Sequence, residues 1–225
     1  MNDTQIIEVK RDILGHNDEA ADAFRAERKK DGMFLLDIMG SPGAGKTSIL
    51  LALIGALKKD PDVRIGVIEA DLESDVDALK IKAAGIPSVE LNTKGVCHVD
   101  MHMMKQAYSA FGGMPFDYLF LENIGNLVCP ADFDTGCHRR VMLLSVPEGW
   151  DKVQKYPPMF SIVDALIVTK CDYLPLNPDF DMEALCAHAR VLNPDLKIFV
   201  TSARTGEGVD EAAAWIRKQK EETLA

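Results

Sequence analysis

No stretch of this 225-residue sequence stays apolar for long. Even Phe160 to Val168, one of its most apolar segments, falls far short of the roughly 20 residues that cross a bilayer. The leading segment MNDTQIIEVKRDIL lacks the uninterrupted apolar centre of a secretory signal, so the expected compartment is the cytoplasm, with no membrane partner. Positive charge is also scarce. Lys and Arg number 25 against 35 Asp and Glu, a formal charge of -10 that repels a phosphate backbone. The one dense basic run, Arg25 to Lys30, is broken by Glu27 and reads as the solvated face of a helix, which excludes nucleic acid as a partner. Five cysteines carry no CxxC pairing, so they are read as thiols or metal ligands rather than as a disulfide framework or a closed zinc site. Internal repeats, low-complexity blocks and linkers are missing as well.

What is present is an alternation. Residues 1–31 are polar, with a helical pattern from Asn17 to Lys30, and form an N-terminal extension that either packs on the sheet or meets a partner. From residue 32 to 225 one domain is expected. MFLLDIMG is a short apolar run of the kind found in buried parallel strands, and Lys46 to Lys58 follows with helical spacing. Strands are then expected at Arg64–Ala70, Ser88–Leu91, Tyr118–Leu121, Arg139–Val146, Ala165–Thr169 and Lys197–Thr201. Helices are expected at Asp75–Ala84, His98–Phe111, Phe180–Val191 and Val209–Lys220. The fold class is α/β, a mostly parallel central sheet with helices on both faces.

Between the first strand and its helix lies GSPGAGKT, a match to GxxxxGKT. Gly40, Ser41, Gly43, Ala44 and Gly45 allow the backbone to approach anionic phosphates closely, Lys46 reaches the β and γ phosphates, and Thr47, followed by Ser48, ligates Mg²⁺. Two acidic segments suit the same site. In VIEADLESDVD, Glu69 and Asp71 leave an apolar run, and Asp75 or Asp77 is placed to sense the metal and the γ-phosphate; helix capping is the plain alternative for these acids. In LFLENIGN, Glu122 ends a strand and Gly125 follows, a carboxylate for Mg²⁺ and an amide for the γ-phosphate. Such a loop is released when the phosphate leaves.

Base choice is read from TKCD. Asp172 accepts from the N1 and N2 donors of guanine, which adenine lacks, and the stem of Lys170 covers the ring. Ser202, Ala203 and Arg204 end the last strand, where backbone amides suit the guanine O6; either tetrapeptide alone is also an ordinary strand-end turn. A second chemistry sits in Cys97, His98 and Cys129. Thiolate with imidazole suits Zn²⁺ or Ni²⁺, and water or a second subunit would complete the set, although isolated cysteines are often inert core residues. Cys129 follows Glu122 closely enough for one loop to serve both chemistries. Asp100, His102, Cys137, His138 and the methionines of MHMM are weaker metal candidates.

Taken in order, GSPGAGKT, VIEAD, GVCHVD, ENIGNLVCPADFDTG, SVPEGWDKVQKYPPMF, TKCD and SARTGEG resemble the hydrogenase maturation nickel-insertion GTPases, the HypB family of the SIMIBI class of P-loop proteins. That resemblance implies a GTPase that binds GTP, GDP and Mg²⁺, carries nickel or zinc, and forms a GTP-dependent homodimer. It also implies a small zinc-containing maturation partner and the large subunit of nickel-iron hydrogenase as client. On the matching positions it implies phosphate and Mg²⁺ roles for Lys46 and Thr47, first-switch roles for Asp71 and Asp77, second-switch roles for Glu122 and Gly125, guanine recognition for Asp172, and metal ligation for Cys97, His98 and Cys129. This chain departs from the family where Thr169 replaces the Asn of NKxD, and it lacks a cysteine-rich or histidine-rich nickel-storage tract at its N-terminus. The rival readings are a P-loop kinase for a small acceptor and a nucleotide-controlled interaction protein or chaperone for another metalloenzyme.

Overall fold

The computed structural model describes residues 9–71 and 76–225, with side chains from 14–71 and from 79 onward. The chain runs α1 (Val9–Lys30), β1 (Phe34–Gly40), α2 (Lys46–Leu57), β2 (Ile65–Asp71), α3 (Val76–Ala83), β3 (Ser88–Asn92), α4 (Met101–Ser109) and β4 (Tyr118–Glu122). It continues with β5 (Arg139–Ser145), α5 (Lys152–Lys155), α6 (Pro157–Ser161), β6 (Ala165–Thr169), α7 (Met182–Leu192), β7 (Lys197–Val200) and α8 (Val209–Leu224).

The seven strands form one sheet in the order β3-β2-β4-β1-β5-β6-β7. Every pairing is parallel, so the expected mostly parallel sheet is parallel throughout the described residues. The inner strands β1, β2, β4, β5 and β6 are buried along most or all of their length because both faces are covered, whereas the edge strands β3 and β7 are largely part-exposed. On one face Phe34, Leu36 and Ile38 of β1 pack with Ile49, Leu50, Leu53 and Leu57 of α2 and with Ala212, Ala213 and Ile216 of α8. On the other, Leu35 joins Ala21 and Phe24 of α1 and Met101 and Met104 of α4. Further along that side, Met142, Leu144, Leu166 and Val168 pack with Met159 and Phe160 of α6 and Leu185 of α7.

Element ends differ from the sequence expectation by a few residues, as helix ends do. α1 reaches back to Val9, and α4 begins at Met101 because Asp100 caps it, its carboxylate accepting from the Met103 N–H at 2.8 Å. The short helices α5 and α6 carried no sequence expectation, being shorter than a hydrophobic period can mark. The strand order turns at β1, with β4 on one side and β5 on the other, and ligands of open parallel sheets sit at the carboxyl ends of strands at such a point. Among the described residues no helix is long and apolar enough to cross a membrane.

Candidate functional site

Gly40 to Thr47 leave the carboxyl end of β1 and enter α2. Gly45, the residue before the helix, has φ 89°, a left-handed conformation that a side chain resists. The turn lets α2 begin with its amides toward the loop, the arrangement that favours anions. Ala44 is fully buried, while Gly43 and Ser48 are exposed on the two sides of the loop. Lys46 lies across the loop, its Nζ 3.4 Å from the Ser41 carbonyl.

The Thr47 hydroxyl donates to Glu122 Oε1 at 2.7 Å, and both residues are buried. A hydroxyl and a carboxylate held together beside a phosphate loop are hard oxygen donors suited to Mg²⁺. Glu69 of β2 is aligned with Glu122 of β4, so the two buried carboxylates share a sheet face. Asp71, two residues on, is on that face at the end of β2. Asp75 lies outside the described residues, and so does the side chain of Asp77, whose backbone is in α3.

Beyond Glu122 the chain stays against the phosphate loop. A Cβ on Gly125 would come within 3.0 Å of Pro42, so only glycine permits this approach without displacement. Asn126 forms an isolated antiparallel bridge with Gly40. Beneath this loop Asp37 of β1 is buried, accepting from Asn123 Nδ2 at 3.1 Å and from the Thr135 hydroxyl at 2.9 Å. Burial pushes its carboxyl up to about 6, against the pull of the Arg140 charge. On the other side of the loop, the Ser41 hydroxyl donates to Glu148, whose second oxygen accepts from the Ser145 N–H at 2.9 Å.

The residues that the sequence assigns to a base are brought together at one cleft. Gly45, Ser48, Thr169, Lys170, Asp172, Ser202, Ala203 and Arg204 line a cleft of about 200 Å³ beside the phosphate loop. Asp172 Oδ1 accepts from the Ser202 hydroxyl at 2.6 Å and Oδ2 lies 3.0 Å from Arg204 Nε. The Ser202 hydroxyl foremost, with the Arg204 charge, holds the Asp172 carboxyl below its ordinary range. The Ser202 N–H donates to the Glu207 carbonyl at 3.0 Å, so Ser202 enters through its side chain and not through its amide. Thr169 donates to the Ala44 carbonyl at 2.6 Å, and Lys170 Nζ to the Gly43 carbonyl at 2.7 Å. Thr169 thus ties the base cleft to the phosphate loop with one hydroxyl.

Cys97 and Cys129 lie on the segments that follow β3 and β4, and their sulfurs are 2.6 Å apart. The Cys129 thiol holds the Cys97 thiol above its ordinary range. His98 Nδ1 is 4.0 Å from Cys97 Sγ, and the ring stacks on Phe133 with centroids 3.6 Å apart. Burial lowers the His98 pKa, which favours the neutral ring that a metal requires. Among the described residues no group of three or more His, Cys, Asp or Glu converges on a metal-holding geometry. The two free thiols are hydrogen-bonded to each other, and the imidazole is turned onto Phe133. The weaker candidates have other occupations: Cys137 is buried, and His138 Nδ1 accepts from the Leu35 N–H at 3.0 Å.

Sequence reasoning named no site role for Asp37, Asn123, Asn126 or Glu148, and kept Glu69 only as an acid beside Asp71. Glu69 had a signal, since it shares a strand face with Asp71 at a spacing of two.

The family model described as "CobW/HypB/UreG, nucleotide-binding domain" matches residues 35–200. The hydrogenase maturation factor HypB of Azotobacter chroococcum mcd 1 is 44% identical over 220 residues, covering 98% of this chain and 71% of that protein. The crystal structure of HypB from Helicobacter pylori in complex with nickel superposes with a TM-score of 0.85 at 31% identity, covering 93% of this chain and 97% of that one. The crystal structure of the hydrogenase maturation factor HypB from Archaeoglobus fulgidus gives 0.82 at 32% identity, covering 92% and 99%.

Proposed function

We propose a function from this premise: the chain belongs to the CobW/HypB/UreG nucleotide-binding family, as a HypB protein. It is a GTP-hydrolysing metallochaperone of hydrogenase maturation. The observation that carries the reading is one loop with two duties. Glu122, hydrogen-bonded to Thr47 of the phosphate loop, begins the segment that ends at Cys129, whose free thiol accepts a hydrogen bond from that of Cys97.

In this reading the amides of Gly43 to Thr47 and the Lys46 ammonium hold the β and γ phosphates, and Thr47 with Glu122 holds Mg²⁺, which neutralises phosphate charge. Asp172 accepts from guanine N1 and N2 after Arg204, whose side chain is 77% exposed, swings off the carboxylate. A water oxygen attacks the γ-phosphorus in line, the bond from that phosphorus to the β–γ bridging oxygen breaks, and GDP and phosphate leave. Asp77 and the Gly125 amide position that water and the γ-phosphate. Loss of the phosphate frees Gly125 and with it the loop to Cys129.

Nickel or zinc is cargo. Two thiols and one imidazole are soft donors that suit it, and the same patch of a second copy completes the set, so GTP-driven pairing and metal capture occur together. The chain acts with a small zinc-containing maturation partner on the large subunit of nickel-iron hydrogenase, in the cytoplasm.

The test is nickel and zinc binding by wild type, C97A/C129A and K46A in apo, GDP and non-hydrolysable GTP-analogue states, with oligomer mass measured in parallel. Wild type is expected to bind nickel with an affinity that changes with nucleotide. C97A/C129A should lose nickel and keep GTP, and K46A should bind GTP roughly hundredfold or more weakly, a loss of charged hydrogen bonds of about 3 kcal/mol. Equal stoichiometry and affinity for metal in every sample would sink the reading.

A further inference from the structure

Two asparagines join the segments that carry the thiols. Asn126 Nδ2 donates to the Cys97 carbonyl at 3.2 Å, and its Oδ1 accepts at 2.9 Å from the N–H of Val128, the residue before Cys129. A carbonyl needs a donor and an N–H an acceptor, so these partners set the orientation of the amide. Asn17 of α1 bridges the same two segments farther along. Its Nδ2 donates to the Asp134 carbonyl at 2.8 Å and its Oδ1 accepts from the Met101 N–H at 2.9 Å.

The two staples differ in one respect. Asn126 is also bridged through its backbone to Gly40, and Gly125 before it rests on Pro42, so it touches the phosphate loop and both thiol segments at once. Asn17 reaches the thiol segments and makes no such bridge to the loop. A shift at Gly40 to Pro42 therefore reaches the Cys97 carbonyl and the Val128 peptide through a single short side chain. Backbone groups held this way move with the residue that holds them, whereas a contact between long exposed side chains would absorb the shift.

We propose that Asn126 is the positioning residue that couples nucleotide state at the phosphate loop to the geometry of the Cys97–Cys129 thiol pair, and so to its affinity for a soft divalent cation. The proposal rests on the reading that those thiols hold the cargo metal. Asn17 sets the resting separation of the two segments, and Asn126 makes that separation depend on the nucleotide. The alternative role for Asn126 is local: its Oδ1 bond to the N–H two residues on is a turn-forming contact found in many loops. A turn residue of that kind would loosen the thiol pair equally in every nucleotide state.

The experiment measures nickel dissociation constants, by competition with a chelator, for the full chain loaded with GDP or with a non-hydrolysable GTP analogue. Wild type, N126A, N126D and N17A are compared. N126D keeps the acceptor for Val128 and loses the donor to Cys97, so it preserves the turn while cutting the link. Wild type is expected to show at least about a fivefold ratio between the two states, the lower range of allosteric coupling. N126A and N126D should bring that ratio to within about twofold of one, with nucleotide affinities of the nickel-free chain unchanged. N17A should weaken nickel in both states by a similar factor and leave the ratio intact.

A wild-type ratio kept by N126D would overturn the proposal, and so would equal nickel affinity in both states of wild type. Loss of nucleotide binding in both Asn126 variants would place the residue in the phosphate site and count against it as well. Absence of nickel binding by wild type, or binding untouched by C97A/C129A, would remove the underlying reading and the proposal with it.

Discussion

The base cleft and the thiol pair lie on opposite sides of β1 in the sheet, the first beyond β6 and β7 and the second beyond β3 and β4. They are held by different means. The cleft is tied to the phosphate loop by Thr169 on the Ala44 carbonyl and Lys170 on the Gly43 carbonyl, and its carboxylate is flanked by Ser202 and Arg204. Each of those residues stands within a turn of a strand end. The thiols instead sit on longer segments after β3 and β4, positioned by Asn126, by Asn17 and by the buried Asp37 with its donors Asn123 and Thr135. The side chains around the cleft meet close to their strands, whereas the thiol segments are held to one another by side-chain staples.

The contrast is sharpest at Asp172. Asp172→Asn exchanges one acceptor oxygen for a donor, so it should weaken GTP by about 3 kcal/mol, roughly hundredfold, and strengthen xanthosine triphosphate, whose ring offers a carbonyl where guanine has an amine. Nickel binding by the nucleotide-free chain should be unchanged. Competition binding of the two nucleotides reads this, and an unchanged preference would remove Asp172 from base recognition.

Next in size is the thiol-side anchor. Asp37 holds its proton up to about pH 6 in the folded chain, while in the unfolded chain it ionises near 3.8. Between those values the unfolded state has released a proton that the folded state keeps, so stability falls as pH rises through the window. The total fall is at most about 3 kcal/mol and is absent below it. Asp37→Asn should remove that slope from urea-unfolding curves taken between pH 4 and pH 7, because the other carboxylates cancel in the difference from wild type. Hydrogen exchange should change in residues 123–137 and not in 201–208. Equal slopes in the two proteins would show that Asp37 does not titrate as its burial implies.

The smallest effect tests the tie on the other side. Thr169→Val keeps the shape and leaves the buried Ala44 carbonyl without its donor, a cost of about 1–3 kcal/mol. GTP and GDP should both weaken roughly tenfold, since base cleft and phosphate loop lose their common anchor. Nickel binding without nucleotide should not respond. If base affinity alone fell, the bond to Ala44 would not be the link that the geometry suggests.

Much of the nucleotide side was legible in the sequence for a physical reason. Phosphate loops, strand-end carboxylates and base-reading turns are local devices, each written in a few consecutive residues beside an apolar run, and the run marks the strand that carries them. The inner strands are therefore recognisable from their apolar runs, while β3, SVELN, shows only a short alternation. Thr169 is instructive in the other direction. In the sequence it is only a departure from NKxD, yet it hydrogen-bonds to the Ala44 carbonyl, which is visible only once the two loops are side by side. The meeting of Cys97 with Cys129 was legible only as a pair of suggestive residue types, and the turning of His98 onto Phe133 was not legible at all.

Residue types and their spacing by themselves determined a parallel α/β sheet with a phosphate-loop motif between its first strand and helix, and supplied the expectation of guanine, because those follow from periodicity and from short contiguous motifs. Only the tertiary structure decided that α1 is stapled to the thiol segments through Asn17, that Glu148 reaches Ser41 and that Asn126 stands between Gly40 and Cys97. Side-chain bonds between residues far apart in the chain leave no period in the sequence, and packing of the sheet's two faces chooses which of them can form.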